Sequence, residues 1–306
     1  MIAVIGIESE DPVRLLLQAC ASKNIEWTLF NQRQQDAWSV DYQVGHAHQS
    51  SLCNGDERLS MADCAGIYLR TMDHTKIPEW STSLDRPGVE QMYAKLWSLL
   101  DDEEVPTRIV NAPGVQFSNN SKPYQSIIIQ EQGLDIPDTC ITSDEEVARA
   151  FLEKHAAVIY KSTSGVRSIV RHVDERSLAN LSRIRLCPVQ FQECVSGFNV
   201  RVHVVGDQAI GTRIDSDAVD YRYADQEGRT TSVAPYELSP SVADKCIALA
   251  NSLRLPFAGI DLMISIDGRT VCFEVNPSPG YSYYERQTGQ RISHALADYL
   301  ARGGTC

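Results

Sequence analysis

The chain has 306 residues, of which 28 are Lys or Arg and 40 are Asp or Glu, giving a formal net charge of -12 at pH 7. This length fits two or three small domains or one large domain. Hydrophobic residues make up 43% and charged residues 22% of the chain, which is the composition of a folded globular protein rather than a disordered one. The net acidity, without clustered Lys and Arg, argues against binding to a nucleic-acid backbone, so no nucleic-acid partner is expected.

The apolar segments predict no membrane association. Strongly apolar runs such as residues 126–129 are far shorter than the roughly 20 residues of a membrane-spanning helix. The start of the chain lacks a basic segment and turns acidic at Glu8, so we expect no export signal. Nine cysteines are scattered without C-x-x-C spacing, which argues against both a zinc site and a disulfide framework. We therefore expect reduced thiols in a cytoplasmic protein.

The first hundred residues predict an open α/β domain. A short apolar run, a helical pattern and a second apolar run form a β-α-β opening, and a further strand and helix follow. The predicted elements are strands at 2–7, 27–30 and 66–70 and helices at 11–23 and 88–100. We expect this α/β layer to occupy residues 1–112.

A second domain, of the α+β class, is predicted over residues 113–188. The composition changes at Asn111 to a linker rich in Asn, Pro, Gly and Ser, and Pro123 lies near the start of the next helical pattern. Asp144 is part of an N-cap signature for another helix. One helix is predicted at 124–132, and a second, which begins after Asp144, ends at residue 154. Strands are predicted at 156–161 and 169–171, with a loop at 162–168 between them.

The remaining residues, 189–306, predict a third domain built mainly on antiparallel strands. Gly206-Asp207 and Asp267-Gly268 mark hairpin turns. A polar stretch at 215–232 is interpreted as a long mobile loop. The other predicted elements are strands at 189–193, 199–205, 209–214, 259–266 and 270–275 and helices at 241–253 and 290–300.

The last hairpin carries a candidate metal site. Glu274 and Asn276 are two residues apart and therefore share one face of their strand, and the adjacent strand can bring Asp261 beside them. Two carboxylates and an amide oxygen are hard ligands that suit Mg²⁺. Spacing alone nevertheless favours the alternative that these are ordinary exposed strand ends.

The surrounding residues resemble the metal-binding signature of the ATP-grasp superfamily, in the branch of RimK-type glutamate ligases and glutathione synthetases. The matching segments read GIDL at 259–262 and FEVNPSPG at 273–280. The similarity covers roughly residues 108–300 and, more weakly, the N-terminal domain. Further matching residues, in chain order, are Asn111, Lys122, Pro137, Lys161, Gln192, Glu193, Cys194, Val195, Arg201 and Arg213. This resemblance implies an N-terminal α/β domain followed by two α+β subdomains that clasp ATP, with Mg²⁺ or Mn²⁺ held by Asp261, Glu274 and Asn276.

The resemblance also assigns residues to the nucleotide. Lys122 and Lys161 would contact the phosphates, and the loop at 162–168, with Ser164 and Gly165, would cover them. Backbone groups of the hinge residues Glu193, Cys194 and Val195 would read the adenine edge. Taken alone, the lysines suit solvated surface positions and Glu193 suits an exposed strand end. The sequence lacks the acidic residue that family members often place after the hinge, so the ribose partner is not assigned.

Arginines and the segment after the metal ligands complete the implied site. Arg201 and Arg213 would bind a phosphoryl group or a carboxylate, with structural arginines that bridge the sheet as the alternative. Arg222 would act in catalysis and in substrate binding, and Arg70 would contact substrate. Ser278 and Tyr281 lie in the segment that borders the acceptor site in this branch, although tyrosines here would equally suit packing at the C-terminal helix.

The implied activity is an ATP-dependent carboxylate–amine ligase that works through an acyl phosphate and releases ADP and phosphate. Its expected substrates are a small carboxylate and an amine, either amino acids or peptides. A ligase that modifies a protein or a ribosomal precursor peptide is the second hypothesis, and a noncatalytic ATP-binding module is the third. Relatives commonly assemble, so a homo-oligomer is an open expectation.

Overall fold

The computed structural model describes residues 1–162, 170–216 and 230–303. The helices are α1 (Asp11–Ser22), α2 (Arg86–Leu100), α3 (Lys122–Glu131), α4 (Glu145–Lys154), α5 (Glu175–Ala179), α6 (Pro240–Ser252), α7 (Ser282–Thr288) and α8 (Ile292–Ala301). The strands are β1 (Ile2–Gly6), β2 (Trp27–Asn31), β3 (Trp38–Asp41), β4 (Ser51–Asn54), β5 (Glu57–Ser60), β6 (Gly66–Arg70), β7 (Arg108–Val110), β8 (Thr139–Thr142), β9 (Val158–Ser162), β10 (Arg171–His172), β11 (Val189–Glu193), β12 (Gly197–Val205), β13 (Gln208–Ser216), β14 (Thr231–Tyr236), β15 (Phe257–Ser265) and β16 (Thr270–Asn276).

The N-terminal part is the predicted α/β layer. Its sheet is parallel in the order β2-β1-β6-β7. All five residues of β1 are buried because helices cover both faces, as is usual for parallel sheets. Strands β3, β4 and β5 form a separate antiparallel sheet that the sequence patterns did not predict, since each strand has only four residues.

The central part is a four-stranded antiparallel sheet in the order β10-β9-β11-β8. Its small core joins this sheet to α4 through residues such as Phe151 and Phe191. The sequence placed residues 189–193 in the C-terminal domain. They form β11 and pair with β8 and β9, so the chain leaves the central sheet only after Glu193.

The C-terminal sheet is antiparallel in the order β14-β13-β12-β15-β16. Helices α3 and α6 cover one face and share a hydrophobic core with it. Helix α3 therefore packs with the C-terminal sheet, although its position in the sequence suggested the central domain. The polar stretch at 215–232, predicted as a loop, overlaps the last two residues of β13 and the first two residues of β14, and residues 217–229 lie outside the described ranges.

The other face of the C-terminal sheet packs against the N-terminal domain. Helix α8 lies on the N-terminal sheet beside α1, and its residues Leu296 and Leu300 share a core with Ile2 and Val4. Helix α7, just before α8, was not predicted. No helix in the described ranges combines the length and the apolar character that crossing a bilayer requires, and the eight cysteines placed there are free thiols.

Asn111 ties the N-terminal domain to the C-terminal sheet. Its buried side chain donates from Nδ2 to the carbonyl oxygens of Phe257 and Pro277, and its Oδ1 accepts from the Phe257 N–H over 3.1 Å. One amide thus satisfies backbone groups at the start of β15 and just after β16. A buried polar group without a partner costs free energy, so this side chain holds the two parts together.

We expect Asn111→Ala to lower the free energy of unfolding by about 2–4 kcal/mol, because it leaves buried backbone groups without partners. Urea unfolding followed by circular dichroism measures this change. Asn180→Ala is the matched control, since Asn180 is exposed and bonds only locally to the Arg176 carbonyl. A loss below about 1 kcal/mol for Asn111→Ala would contradict the proposed tie.

Candidate functional site

Three charged side chains form a row across neighbouring strands of the C-terminal sheet. Arg201 on β12 is paired with Asp261 on β15, and Asp261 is paired with Glu274 on β16. Directly paired residues point to the same face of a sheet. Arg201 Nη1 donates to Asp261 Oδ1 over 2.7 Å, and the Arg201 side chain is only 7% exposed. The sequence prediction that Asp261 lies beside Glu274 is confirmed.

A second cation lies at the other end of this row. Lys122 is the first residue of α3, and its Nζ lies 3.7 Å from Glu274 Oε2. Two carboxylates are therefore flanked by a guanidinium and an ammonium group. A β-bulge between Asp261 and Leu262 leaves Phe273 as the extra residue opposite them, and such bulges often re-aim side chains at functional sites.

Gly259 makes room for the Arg201 guanidinium. A Cβ atom at this position would lie 2.4 Å from Arg201 Nη2 and 2.6 Å from the Cβ of Pro279. The lack of a side chain is therefore what allows the buried arginine to reach Asp261.

The segment after β16 connects the site to the N-terminal domain. Asn276 Oδ1 accepts from the Ser278 N–H over 2.9 Å. Arg70, at the end of β6, donates to the Pro279 carbonyl over 3.1 Å, to Ser278 Oγ over 3.4 Å and to Glu10 over 3.0 Å. The structure thus brings Arg70 and Ser278 together beside the Asp261–Glu274 row.

Tyr281 does not border the site in the way the resemblance implied. Its side chain is fully buried, its ring packs edge-on to Phe257, and its hydroxyl donates to the Pro12 carbonyl. Burial raises the pKa of the Tyr281 phenol well above its usual range. These contacts argue against a substrate role and agree with the alternative of packing near the C-terminal helices.

Arg213 points to the opposite face of the sheet from Arg201. It is paired with Val200, which belongs to the core beneath α3 and α6. Its guanidinium lies 4.2 Å from the centroid of the Phe198 ring and donates hydrogen bonds to the Asp215 carboxylate. This placement separates Arg213 from the Asp261–Glu274 row, and the structural alternative describes Arg213 better than the predicted binding of a phosphoryl group or carboxylate.

Lys161 and Glu193, which the resemblance assigns to the nucleotide, lie on β9 and β11 of the central sheet. Lys161, on β9, donates to Gln192 Oε1 over 3.5 Å. At the hinge, the N–H groups of Glu193 and Cys194 donate to the carbonyls of Asp138 and Ala157, each over 2.9 Å. The Val195 side chain is buried, and burial raises the pKa of the Cys194 thiol, which fits a structural cysteine. Ser164, Gly165 and Arg222 lie outside the described residues.

His203 is a buried residue of this region that the sequence reasoning missed. It lies two positions beyond Arg201 and therefore on the same face of β12. Its ring is fully buried between Phe257 and Tyr284, and its Nε2 lies 3.4 Å from the Gly280 carbonyl. Burial lowers the pKa of His203 to about 3, so the ring is neutral at pH 7. The alternation of Arg201 and His203 along one strand was the available signal.

The chemistry of the donors fits a hard cation. Asp261, Glu274 and Asn276 offer oxygen atoms on one face of two paired strands. In the part of the chain that the structure describes, no three His, Cys, Asp or Glu side chains cluster as a metal site. A site of two carboxylates and one amide suits Mg²⁺, which completes its coordination with water and nucleotide phosphates.

Residues 120–300 match the RimK-like ATP-grasp domain. The chain belongs to the RimK-like ATP-grasp family. It is 26% identical over 236 residues to a probable alpha-L-glutamate ligase of Haemophilus influenzae strain PittEE, covering 73% of this chain and 78% of the relative. It is 25% identical over 210 residues to human beta-citrylglutamate synthase B, covering 65% of this chain and 54% of that protein. The chain also spans 64% of the length of two other Haemophilus influenzae relatives with the alpha-L-glutamate ligase name.

Solved ATP-grasp structures extend the likeness over the whole chain. The ATP-grasp ligase PsnB complexed with a minimal precursor is 25% identical, with a TM-score of 0.79 and 98% coverage of both chains. A RiPP-associated ATP-grasp ligase from Chryseobacterium gregarium, in complex with ADP and a leader and core peptide, has the same fold at 21% identity and a TM-score of 0.79, covering 99% of this chain and 97% of that one. The expected ATP-grasp fold and RimK-type resemblance are confirmed, and the chain is an ATP-dependent carbon–nitrogen ligase.

The buried neutral His203 predicts a pH dependence of stability. As pH falls below about 6.5, the unfolded chain binds a proton that the folded histidine, with a pKa of about 3, does not bind. The contribution of His203 to the free energy of unfolding is therefore fully present above pH 6.5. It declines as pH falls, by about 2 kcal/mol between pH 7 and pH 5.

We expect His203→Gln to remove this part of the pH dependence while the carboxylate contributions remain. Urea unfolding of both proteins at pH 7 and pH 5 measures the difference. Equal losses of stability in the wild type and the variant would show that His203 is not held neutral.

Proposed function

We propose that this ligase phosphorylates the carboxylate of an amino acid or peptide and transfers the acyl group to an amine. The observation that carries the proposal is the row of Arg201, Asp261 and Glu274 with Lys122 at its end, in a chain of the RimK-like ATP-grasp family. This row supplies positive charges and carboxylate ligands for a metal ion, and it contains no nucleophile–base pair. That is what phosphoryl transfer requires, because positioning and charge neutralisation do most of the work.

In the first step, a substrate carboxylate oxygen bonds to the γ-phosphorus of ATP while the bond to the β-phosphate oxygen breaks, so that ADP leaves. Lys122 and Lys161 bind phosphate oxygens, and Arg201 balances the charge beside Asp261. In the second step, the amine nitrogen attacks the acyl carbon, phosphate leaves, and the amine proton passes to solvent.

Asp261, Glu274 and Asn276 would hold Mg²⁺, or Mn²⁺ in its place. When bound, this ion neutralises negative charge on the phosphate oxygens. The hard oxygen donors support this assignment, and the solved structure of PsnB with its minimal precursor contains Mg and ADP. Lys122 and Arg201 hold the two carboxylates in place through ion pairs.

The substrate would approach from the side of the N-terminal domain. Arg70 and Ser278 line that side, and we assign a carboxylate-binding role to the Arg70 guanidinium. Arg222 remains a further proposed substrate residue.

We also propose that the enzyme works in the cytoplasm, without a nucleic-acid or membrane partner, and that it forms a homo-oligomer.

A precursor peptide is the second candidate substrate. The ligase PsnB, complexed with its minimal precursor, matches 98% of this chain and 98% of its own chain at 25% identity. In this alternative, the carboxylate and the amine would both belong to side chains of one peptide.

Hydroxylamine trapping tests the activity before the true amine is known. The enzyme would be given ATP and Mg²⁺ with pooled amino acids or dipeptides, or with peptides rich in Glu and Lys, and hydroxamate and ADP would be measured. A signal with amino acids or dipeptides supports the first candidate. A signal with the longer peptides alone supports the second.

We expect Glu274→Gln and Asp261→Asn each to reduce hydroxamate formation by about 100-fold or more, because charge stabilisation at the phosphates is lost. Glu103→Gln is the control, since Glu103 is an exposed carboxylate that pairs with Arg254. ADP and hydroxamate formed at wild-type rates by both site variants would overturn the assignment. A wild type that binds ATP but gives no hydroxamate with any pool would instead favour a noncatalytic nucleotide-binding module.

A further inference from the structure

The hinge between the central and C-terminal sheets is held by the turn of a hairpin. The hinge is the segment from Glu193, the last residue of β11, to Gly197, the first residue of β12. The turn of the β15–β16 hairpin lies against it. The Ser196 carbonyl accepts from the Ile266 N–H and from Ser265 Oγ, each over 3.0 Å.

Gly197 permits this close approach. A Cβ atom at Gly197 would lie 2.2 Å from the Ile264 carbonyl oxygen, which is backbone and cannot move aside. Gly197 is also paired with Ser265. The C-terminal side of the hinge is therefore fixed to β15 through backbone contacts.

The central side of the hinge is connected to the same hairpin by one ion pair. Arg269 Nη1 donates to Glu193 Oε1 over 2.9 Å, and the same oxygen accepts from the Asp138 N–H over 3.2 Å. The Glu193 side chain is only 16% exposed. Its carboxylate thus links the start of β8 in the central sheet to a hairpin of the C-terminal sheet.

Hydrogen bonds to Asp267 hold Arg269 in position independently of its contact with the hinge. Its Nε donates to Asp267 Oδ2 over 2.9 Å, and its backbone N–H donates to Asp267 Oδ1 over 3.2 Å. Because the guanidinium is a planar fork, fixing Nε also fixes the direction of Nη1. Little further side-chain freedom is lost when it binds Glu193.

We propose that Arg269 is a positioning residue, which holds Glu193 across the interface between the two sheets and so fixes the hinge backbone that reads the nucleotide base. This inference rests on the proposed nucleotide site. In that site the hinge would bind the base of the nucleotide, whereas Lys122 and Lys161 would bind its phosphates. Loss of Arg269 should therefore weaken recognition of the base and leave phosphate recognition unchanged.

The test compares Arg269→Gln, Glu193→Gln and the double variant in the full-length protein. Titration calorimetry gives the Kd for ATP with Mg²⁺, and inorganic tripolyphosphate serves as a probe that lacks the base. We expect each single variant to weaken ATP binding about 3- to 10-fold, the range of a hydrogen-bonded, partly exposed ion pair. The double variant should be no weaker than the single variants, and tripolyphosphate should bind all of them alike.

Steady-state kinetics provides a second measurement. We expect Arg269→Gln to raise KM for ATP by the same factor with kcat unchanged, because the reacting groups lie elsewhere. Arg269→Lys should recover part of the affinity, since it keeps the positive charge. Arg254→Gln is the matched control, because Arg254 makes an exposed ion pair with Glu103 far from the hinge in the fold.

Three results would overturn the inference. One is wild-type ATP affinity in Arg269→Gln, another is an equal loss of ATP and tripolyphosphate binding, and the third is additive losses in the double variant. If the wild type binds ATP and any of these occurs, only the role of Arg269 is rejected. A wild type that binds no ATP would reject the proposed function as well.

Discussion

The buried ion pair between Arg201 and Asp261 is the constraint on which the site depends. Strand pairing places Asp261 directly beside Glu274, and like charges on paired positions repel. Arg201 offsets this repulsion from within the sheet, and Lys122 does so from the start of α3. A buried guanidinium is itself costly unless it is paired. The arginine and the carboxylates therefore require each other, and Gly259 is the residue that leaves space for the pair.

One face of the C-terminal sheet carries both a hydrophobic core and the row of charged side chains. At one end, Val205 and Phe257 pack into the core shared with the N-terminal domain. Further along the strands, the same face carries Asp261 and Glu274. His203 lies between these regions, neutral and enclosed by aromatic rings. The site therefore lies at the border of a hydrophobic core, where low polarity strengthens electrostatic interactions.

Local patterns predicted the hairpin and the placement of Asp261 beside Glu274, because alternation within a strand and the Asp267-Gly268 turn are short-range features. The placement of Arg213 was beyond such patterns, since a shift of one residue in pairing moves a side chain to the other face. The burial of Tyr281 depends on contacts with α1, almost 270 residues earlier in the chain. Strand β11 looked like part of the third domain because the sequence shows a strand but not its partners.

The position of α8 has a consequence for how the protein is made. Strand β1 packs against residues near 300, so α1 covers only part of this apolar face of the N-terminal sheet until α8 has left the ribosome. The first domain to be synthesised is thus among the last to complete its core. Contacts of such long sequence separation slow folding and leave strand surfaces open to association. Chaperone binding during synthesis would most benefit the face formed by Ile2 and Val4.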